Sequence, residues 1–301
     1  MKLATFTHAG STRIGIVDGV DGVDGIDGVD GAEIVDLTVA APDLPREMVA
    51  FLEAGSNAME AARAAVIDGK RIPLADVKLE APISRPPKFL AVGLNYADHV
   101  AESGMETPEY PTIFNKQSTC VTGPTDPVHV PKASHVLDYE GELGVVIGRW
   151  ARHVSRDDAA DYIAGYLVVN DVTVRDWQFR TPTWTMGKSF DSHGPIGPWI
   201  VTSDELRDPH RLALRTYVNE ELRQESNTKQ LIFDCFALVE HFSTAFTLEP
   251  GDIIATGTPG GVGILHKPPQ ILKAGDVVRI EIEGIGEIEN PIIDEPDDTA
   301  R

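Results

Sequence analysis

The sequence predicts an α+β fold rich in β-structure, a barrel or roll with helices at its edge, preceded by a small N-terminal β/α unit. Three observations carry this expectation. From Phe89 to Pro291 the chain is a succession of short β runs, FLAVGL, HVLDYEGELGVVIG, GYLVVND, GPWIVT, ALRTYVN, DIIATG and DVVRIEIEG, punctuated by glycine turns. Helical pattern surfaces there only in brief stretches such as RDDAADYIA and DCFALVEHFSTAF. The proline-rich stretch LEAPISRPPKF (79–89) has the character of a linker and divides the chain into a small domain, 1–80, and a larger one, 81–301.

Taken in order, KLATFTHAGSTRIGIVDG alternates like two strands around an Ala-Gly-Ser turn. Five consecutive Val/Ile-Asp-Gly triplets follow (17–31). Asp-Gly supplies the left-handed positions of hairpin turns, and a period of three does not match the longer periods of calcium-binding repeats. The run therefore reads as a lengthened surface turn. Residues 46–69, REMVAFLEAGSNAMEAARAAVIDG, read as one or two helices broken near Gly55-Ser56-Asn57.

Composition narrows the function classes. A chain of 301 residues with 42% hydrophobic and 24% charged residues can bury a large core. No apolar run approaches the ~20 residues needed to cross a bilayer, and the N-terminus lacks the apolar core of a signal peptide. Cys120 and Cys235 form neither a disulfide framework nor a metal cluster. The expected compartment is the cytoplasm. A net charge of −21 argues against nucleic-acid and anionic-membrane partners. It does not forbid an anionic substrate, because a metal ion and a few cations can reverse the field inside one cleft.

The chemistry concentrates in four places. In HVLDYEGELGVVIG, Asp138, Glu140 and Glu142 are two apart and would share one face of a strand that continues into a buried run. Carboxylates that close repel unless a cation sits among them, and oxygen ligands select hard ions such as Mg²⁺, Mn²⁺ or Ca²⁺. GYLVVND ends in Asp171, which can complete a three-carboxylate site if the two strands are neighbours. Spacing alone leaves a solvated acidic edge as the alternative. In GLNYADHVAE, His99 and Glu102 are three apart, adjacent on a helical turn, and can act as a base held by a carboxylate. Lys188, in MGKSFDSHGPIGP, is suited to reach an anion or a developing enolate. ATGTPGGVG (255–263) is a glycine-rich turn whose amides and Thr258 hydroxyl can cradle a carboxylate. It is not a Walker loop, since no Gly-Lys-Ser/Thr follows.

In this order, EGELGVVIG, NDVTVRDWQ, GKSFD and GTPGGVG resemble the fumarylacetoacetate hydrolase (FAH) superfamily, over roughly residues 85–291. The resemblance extends weakly into the N-terminal part, where the VDG run looks like an insertion. It implies a mixed β-roll, a homodimer and bound Mg²⁺ or Mn²⁺. It places the metal on Glu140, Glu142 and Asp171, leaving Asp138 to support the ligands or lie at the surface. It also implies a His99–Glu102 lid dyad, Lys188 as a catalytic cation, and Arg175, Gln178, Thr258 and Gly257 on the substrate. Trp184, Met186, Phe114 and Trp177 would shape the distal pocket or simply pack.

The reaction class implied is metal-assisted enolate chemistry on a 2-oxo acid. C–C hydrolysis of an acylpyruvate-like or 2,4-dioxo acid stands first, with His99 activating water. Decarboxylation of an oxaloacetate-type acid, or isomerisation of a 2-oxo or 2-hydroxy-dienoic diacid of aromatic catabolism, stands second. Outside enzymology, the same residues could serve a non-catalytic oxyacid-binding protein.

Overall fold

The computed structural model describes residues 1–20 and 31–299; most of the VDG run, 21–30, lies outside them. Three strands open the chain, β1 (Lys2–His8), β2 (Ser11–Asp18) and β3 (Glu33–Asp36), paired antiparallel in sequence order. The VDG run thus connects two paired strands, Asp18 opposite Glu33. The predicted helical stretch is two helices, Met48–Glu53 and α1 (Gly55–Asp68), broken at the expected glycine.

The larger part contributes β4 (Phe89–Gly93), the short helix α2 (Ala97–Ser103), β5 (Thr112–Lys116), β6 (Gly141–Ile147), β7 (Ile163–Asn170) and β8 (Gly194–Thr202). β9 (Ala213–Val218), β10 (Glu221–Asn227), α3 (Cys235–Ala245), β11 (Ile253–Ala255), β12 (Val277–Ile282) and β13 (Gly286–Asp294) complete it. Of the two helical stretches read from sequence, DCFALVEHFSTAF forms α3. RDDAADYIA yields only the 3₁₀ turn Ala159–Tyr162 before entering β7.

Two large sheets result, neither closed into a barrel, beside a two-stranded pair of Leu137–Asp138 with Thr173–Val174. A 12-stranded sheet runs β3-β2-β1-β8-β7-β6-β11-β4-β5 through its centre, and a five-stranded sheet runs β10-β9-β12-β13 and ends on Val128–Val130. The N-terminal strands belong to the large sheet, because Lys2 and Leu3 of β1 pair with Val201 and Ile200 of β8. β6 is central and buried along its whole length. Its Leu143, Val145 and Ile147 face a core shared with β12 and β13 of the second sheet. Val146, on the other side, packs into a core with Phe51 and Leu52. A strand covered on both faces reads as a continuous apolar run, as LGVVI does. Among the described residues no helix is long and apolar enough to cross a membrane.

Candidate metal centre and substrate pocket

β6 and β7 run antiparallel with Gly141 opposite Asn170, so the acids flanking this register meet at one end of the pair. Asp171 N–H donates to the Glu140 carbonyl at 2.9 Å, continuing the ladder one step beyond the strands. The residue between the two glutamates has to be glycine. A Cβ on Gly141 would lie 2.3 Å from Thr216 Oγ1 of β9, so the second sheet packs directly on this backbone. Glu140, Glu142 and Asp171 are all buried and offer carboxylate oxygens within 4.8 Å of one another.

Protein cations surround them. Lys188 Nζ lies 2.7 Å from Glu140 Oε2 and 2.6 Å from Asp171 Oδ2. Arg175 Nη1 lies 2.6 Å from Glu140 Oε1. Lys116, which the sequence reading missed, donates to Asp171 Oδ1 at 2.7 Å and to the Lys188 carbonyl. Its signal was a lone lysine in the strand TIFNK, two positions after the buried Phe114 and so on the same face. Asp138 is fully buried and organises the other side. Its oxygens accept from Arg175 Nε (2.8 Å), Gly263 N–H (2.8 Å) and Ile264 N–H (3.0 Å). Arg175 Nη2 also sits 2.8 Å from Asp138 but without the geometry of a hydrogen bond, leaving that buried donor unpartnered.

The electrostatics are uneven. Burial pushes both glutamates upward, but the charges of Lys188 and Arg175 outweigh it at Glu140 and hold its carboxyl down at about 2. At Glu142 burial and the charges of Asp171 and Glu140 outweigh the downward pull of Lys188 and of one backbone amide, and its carboxyl is driven well above the usual range. Its one backbone partner is the Gly257 amide, at 2.7 Å from Oε2. That amide was expected to face substrate; it is instead spent on Glu142. A hard divalent cation would relieve this excess of negative charge, and three carboxylate oxygens are the donor set such ions take. The residues fit the ion.

The remaining side chains converge on one cavity of about 160 Å³. His99, Glu140, Glu142, Arg175, Gln178, Lys188 and Thr258 line its polar side. Lys188 reaches it because Gly187 allows the loop to dock, a Cβ there lying 2.3 Å from Gln178 N. Thr258 is set by Gln224 of β10, another residue sequence reasoning missed. Gln224 Nε2 donates to Thr258 Oγ1 (2.8 Å) and the Pro259 carbonyl, while its Oε1 accepts from Gly141 N–H (3.0 Å). This buried amide therefore staples the glycine-rich loop to the Glu-Gly-Glu backbone.

His99 and Glu102 lie on α2, with Nδ1 and Oε2 3.7 Å apart, in contact but beyond hydrogen-bond distance. Glu102 accepts from Gly261 N–H at 2.9 Å, which ties α2 to the glycine-rich loop. Phe114 and Trp184 form the apolar wall, edge to face with centroids 5.6 Å apart, together with Met105, Phe179 and Leu265. Trp177 and Met186 are not part of it. Trp177 packs on Phe190, and Met186 is exposed.

Comparison with known proteins agrees with this geometry. The sequence profile of the Fumarylacetoacetate (FAA) hydrolase C-terminal family matches residues 88–293. The rat protein "Oxaloacetate tautomerase Fahd2a, mitochondrial" is 44% identical over 297 residues, 97% of this chain and 92% of the relative. The structure of maleylpyruvate hydrolase from Sphingobium sp. SYK-6 in complex with manganese(II) ion and pyruvate is 33% identical with TM-score 0.80, covering 98% of this chain and 100% of that one. The 2-hydroxyhepta-2,4-diene-1,7-dioate isomerase from Mycobacterium marinum is 34% identical with TM-score 0.78, covering 99% of this chain and all of that one.

Proposed function

The chain belongs to the fumarylacetoacetate hydrolase family, and from that premise we propose that it is a divalent-metal-dependent enzyme that interconverts keto and enol forms of a small oxaloacetate-like 2-oxo acid. The observation that carries this reading is the convergence of a base, a cation and a three-carboxylate centre on one cavity of about 160 Å³. That volume suits an acid of a few carbons, at ~30 Å³ for each water displaced. The full-length similarity to an oxaloacetate tautomerase supports the choice of substrate class.

Glu140, Glu142 and Asp171 would hold Mg²⁺ or Mn²⁺. Such an ion supplies the electron withdrawal that acidifies a carbon next to a 2-oxo group. The chain's own residues do the rest. His99 presents Nδ1 toward Glu102, which leaves its other nitrogen to take a proton from C3 and return it. Lys188, one of two cations lining the pocket with Arg175, is the one placed to donate to the oxygen that gathers charge as C2=C3 forms. Arg175 and Gln178, joined at 3.0 Å, and Thr258 orient the acid. The apolar wall of Phe114, Trp184 and Phe179 limits water around the reacting carbon.

C–C hydrolysis of an acylpyruvate-like acid, which the sequence motifs place first, is the second reading. The likeness to a maleylpyruvate hydrolase in complex with manganese and pyruvate favours it. There His99 would deprotonate a water instead of a carbon. One experiment separates the two. Enol-oxaloacetate and acetylpyruvate are supplied in turn with Mg²⁺, Mn²⁺ or EDTA, enol absorbance is followed, and products are identified by NMR. The proposal expects metal-dependent loss of the oxaloacetate enol with carbon skeleton intact. Acetate and pyruvate from acetylpyruvate, with no effect on oxaloacetate, would transfer the assignment to hydrolysis. Turnover of neither, with binding retained, would leave an oxyacid-binding protein.

A further inference from the structure

Lys188 has a place in the metal centre as well as in the pocket. We infer that its ammonium and the divalent cation compete for the same carboxylate oxygens, so that loading the ion releases Lys188 to the substrate side. This rests on the reading above, that Glu140, Glu142 and Asp171 hold the ion.

The geometry carries the argument. Lys188 Nζ bridges Glu140 Oε2 and Asp171 Oδ2, and so occupies carboxylate oxygens that an ion held by these acids would draw on. Their other oxygens are already taken, Glu140 Oε1 by Arg175 and Asp171 Oδ1 by Lys116. An ammonium has three donors and no acceptor, so Lys188 cannot become a ligand and can only be a rival or withdraw. The three cations differ in where they can go. Lys116 is enclosed, and its side chain lies outside the cavity lining. Arg175 is fastened by Asp138 and Gln178. Lys188 alone among the three combines a flexible stem with an open side, because it borders the cavity. Phe114, which lines the same cavity, already accompanies it: the ring centroid lies 5.0 Å from Nζ while the ammonium bridges the acids, so a small shift toward the cavity need not give up this cation–π contact. Metal loading and arming of the lysine are then one event, and the same residue stabilises the three acids when no ion holds them.

The test needs no turnover. Wild type, Lys188→Met and Lys116→Met are stripped with EDTA. Each is then titrated with Mn²⁺ while free ion is followed by electron paramagnetic resonance, and each is melted with and without Mn²⁺. Competition expects Lys188→Met to bind Mn²⁺ at least about tenfold more tightly than wild type, since a like charge at the ion's own position is removed. It also expects a lower melting temperature for the stripped variant, largely restored by Mn²⁺. Lys116→Met removes an equally near charge from outside the cavity and should tighten binding much less or weaken it. A Lys188→Met chain that folds only with Mn²⁺ present would support the exchange directly. Should it not fold at all, Lys188→Gln carries the same expectation in smaller measure. Unchanged or weaker Mn²⁺ binding in Lys188→Met and Lys188→Gln, or equal tightening by Lys116→Met, would overturn the proposal. Wild type that binds no Mn²⁺ would instead sink the metal-site reading on which it stands.

Discussion

The cavity has two sides built on different principles. Its floor lies where β6 and β7 run out, and every charged group there is buried and held by at least one opposite charge or backbone amide. Apart from the buried Phe114 of β5, its wall and lid are more open. Met105 is 53% exposed and Phe179 69%, and the His99–Glu102 contact is 3.7 Å long. Buried charges demand partners fixed in place, and paired strands supply them at defined register. Short, exposed segments with fewer fixed partners form the other side, and such segments yield at lower cost than paired strands. Changes to the floor should therefore alter ion binding first, and changes to the lid should alter the chemical step first.

The largest effect is expected at the floor. Glu142→Gln keeps an acceptor for the Gly257 amide but removes one of three ligand charges. Mn²⁺ affinity should fall by more than the ~10–100-fold typical of residues that merely support ligands. The stripped protein should at the same time be no less stable, and more so if relief of repulsion dominates, because Glu142 sits against two like charges. Isothermal titration and thermal melts read the two effects separately. A variant binding Mn²⁺ as wild type does would remove Glu142 from the site.

On the lid, His99→Ala should lower kcat by about 10²–10⁴-fold, the usual contribution of a positioned base. Mn²⁺ affinity should stay within about threefold, since His99 lies on α2 and not among the carboxylates. Equal losses in both measurements would mean that lid and floor are one unit, and the contrast drawn above would fail.

How much of this contrast the sequence shows depends on whether a residue's partner is local or distant. The acids at the ends of β6 and β7 were legible because period-two spacing put Glu140 and Glu142 on one face, and a buried apolar strand made bare carboxylates costly. The break at Gly55 and the helix over Cys235–Ala245 followed from local pattern as well. Lys116 and Gln224 were not read, because each earns its role across the fold. Lys116 meets Asp171 55 positions away, and Gln224 meets Gly141 83 positions away. Gly257 was assigned to substrate because an exposed-looking glycine loop advertises amides. Only the pairing of β6 with β11 reveals that Glu142 takes this one. Asp138 gave the period of a third ligand, yet it belongs to a separate short pair, Leu137–Asp138 with Thr173–Val174, and serves Arg175.

Behind the floor, His193 offers a smaller, pH-dependent test. Burial drives its imidazole down to about 3, against which the bond from Nε2 to the His129 carbonyl (2.8 Å) pulls only weakly upward. Between about 3 and about 6.5 the unfolded chain binds a proton there that the folded chain does not. Folding stability should therefore fall as pH drops through that window, by a few kcal/mol at its acid end. His193→Gln keeps a donor for the carbonyl without titrating, so its stability should decline less steeply between pH 6.5 and 4, as denaturant melts at stepped pH would record. Parallel acid limbs for wild type and variant would place the acid sensitivity elsewhere.

The smallest effect is expected far from both sides of the cavity. The VDG run begins on the last two residues of β2, Val17 and Asp18, and ends at Gly31, two residues before Glu33, which pairs with Asp18; Gly19 and Gly31 both have positive φ. Deleting residues 20–28 removes three whole triplets and keeps one such Asp-Gly at each side, so the register of β2 and β3 need not change. The connection between the paired Asp18 and Glu33 shortens from 14 residues to five, which changes the closure cost by only about 0.9 kcal/mol and for a chain of this size moves the melting temperature by about 2–3 °C. Mn²⁺ affinity and turnover should match wild type, because β2 and β3 touch neither floor nor lid. The informative control is calcium. If Ca²⁺ stabilises wild type and not the deletion, the triplets bind an ion and the reading of them as a lengthened turn is wrong.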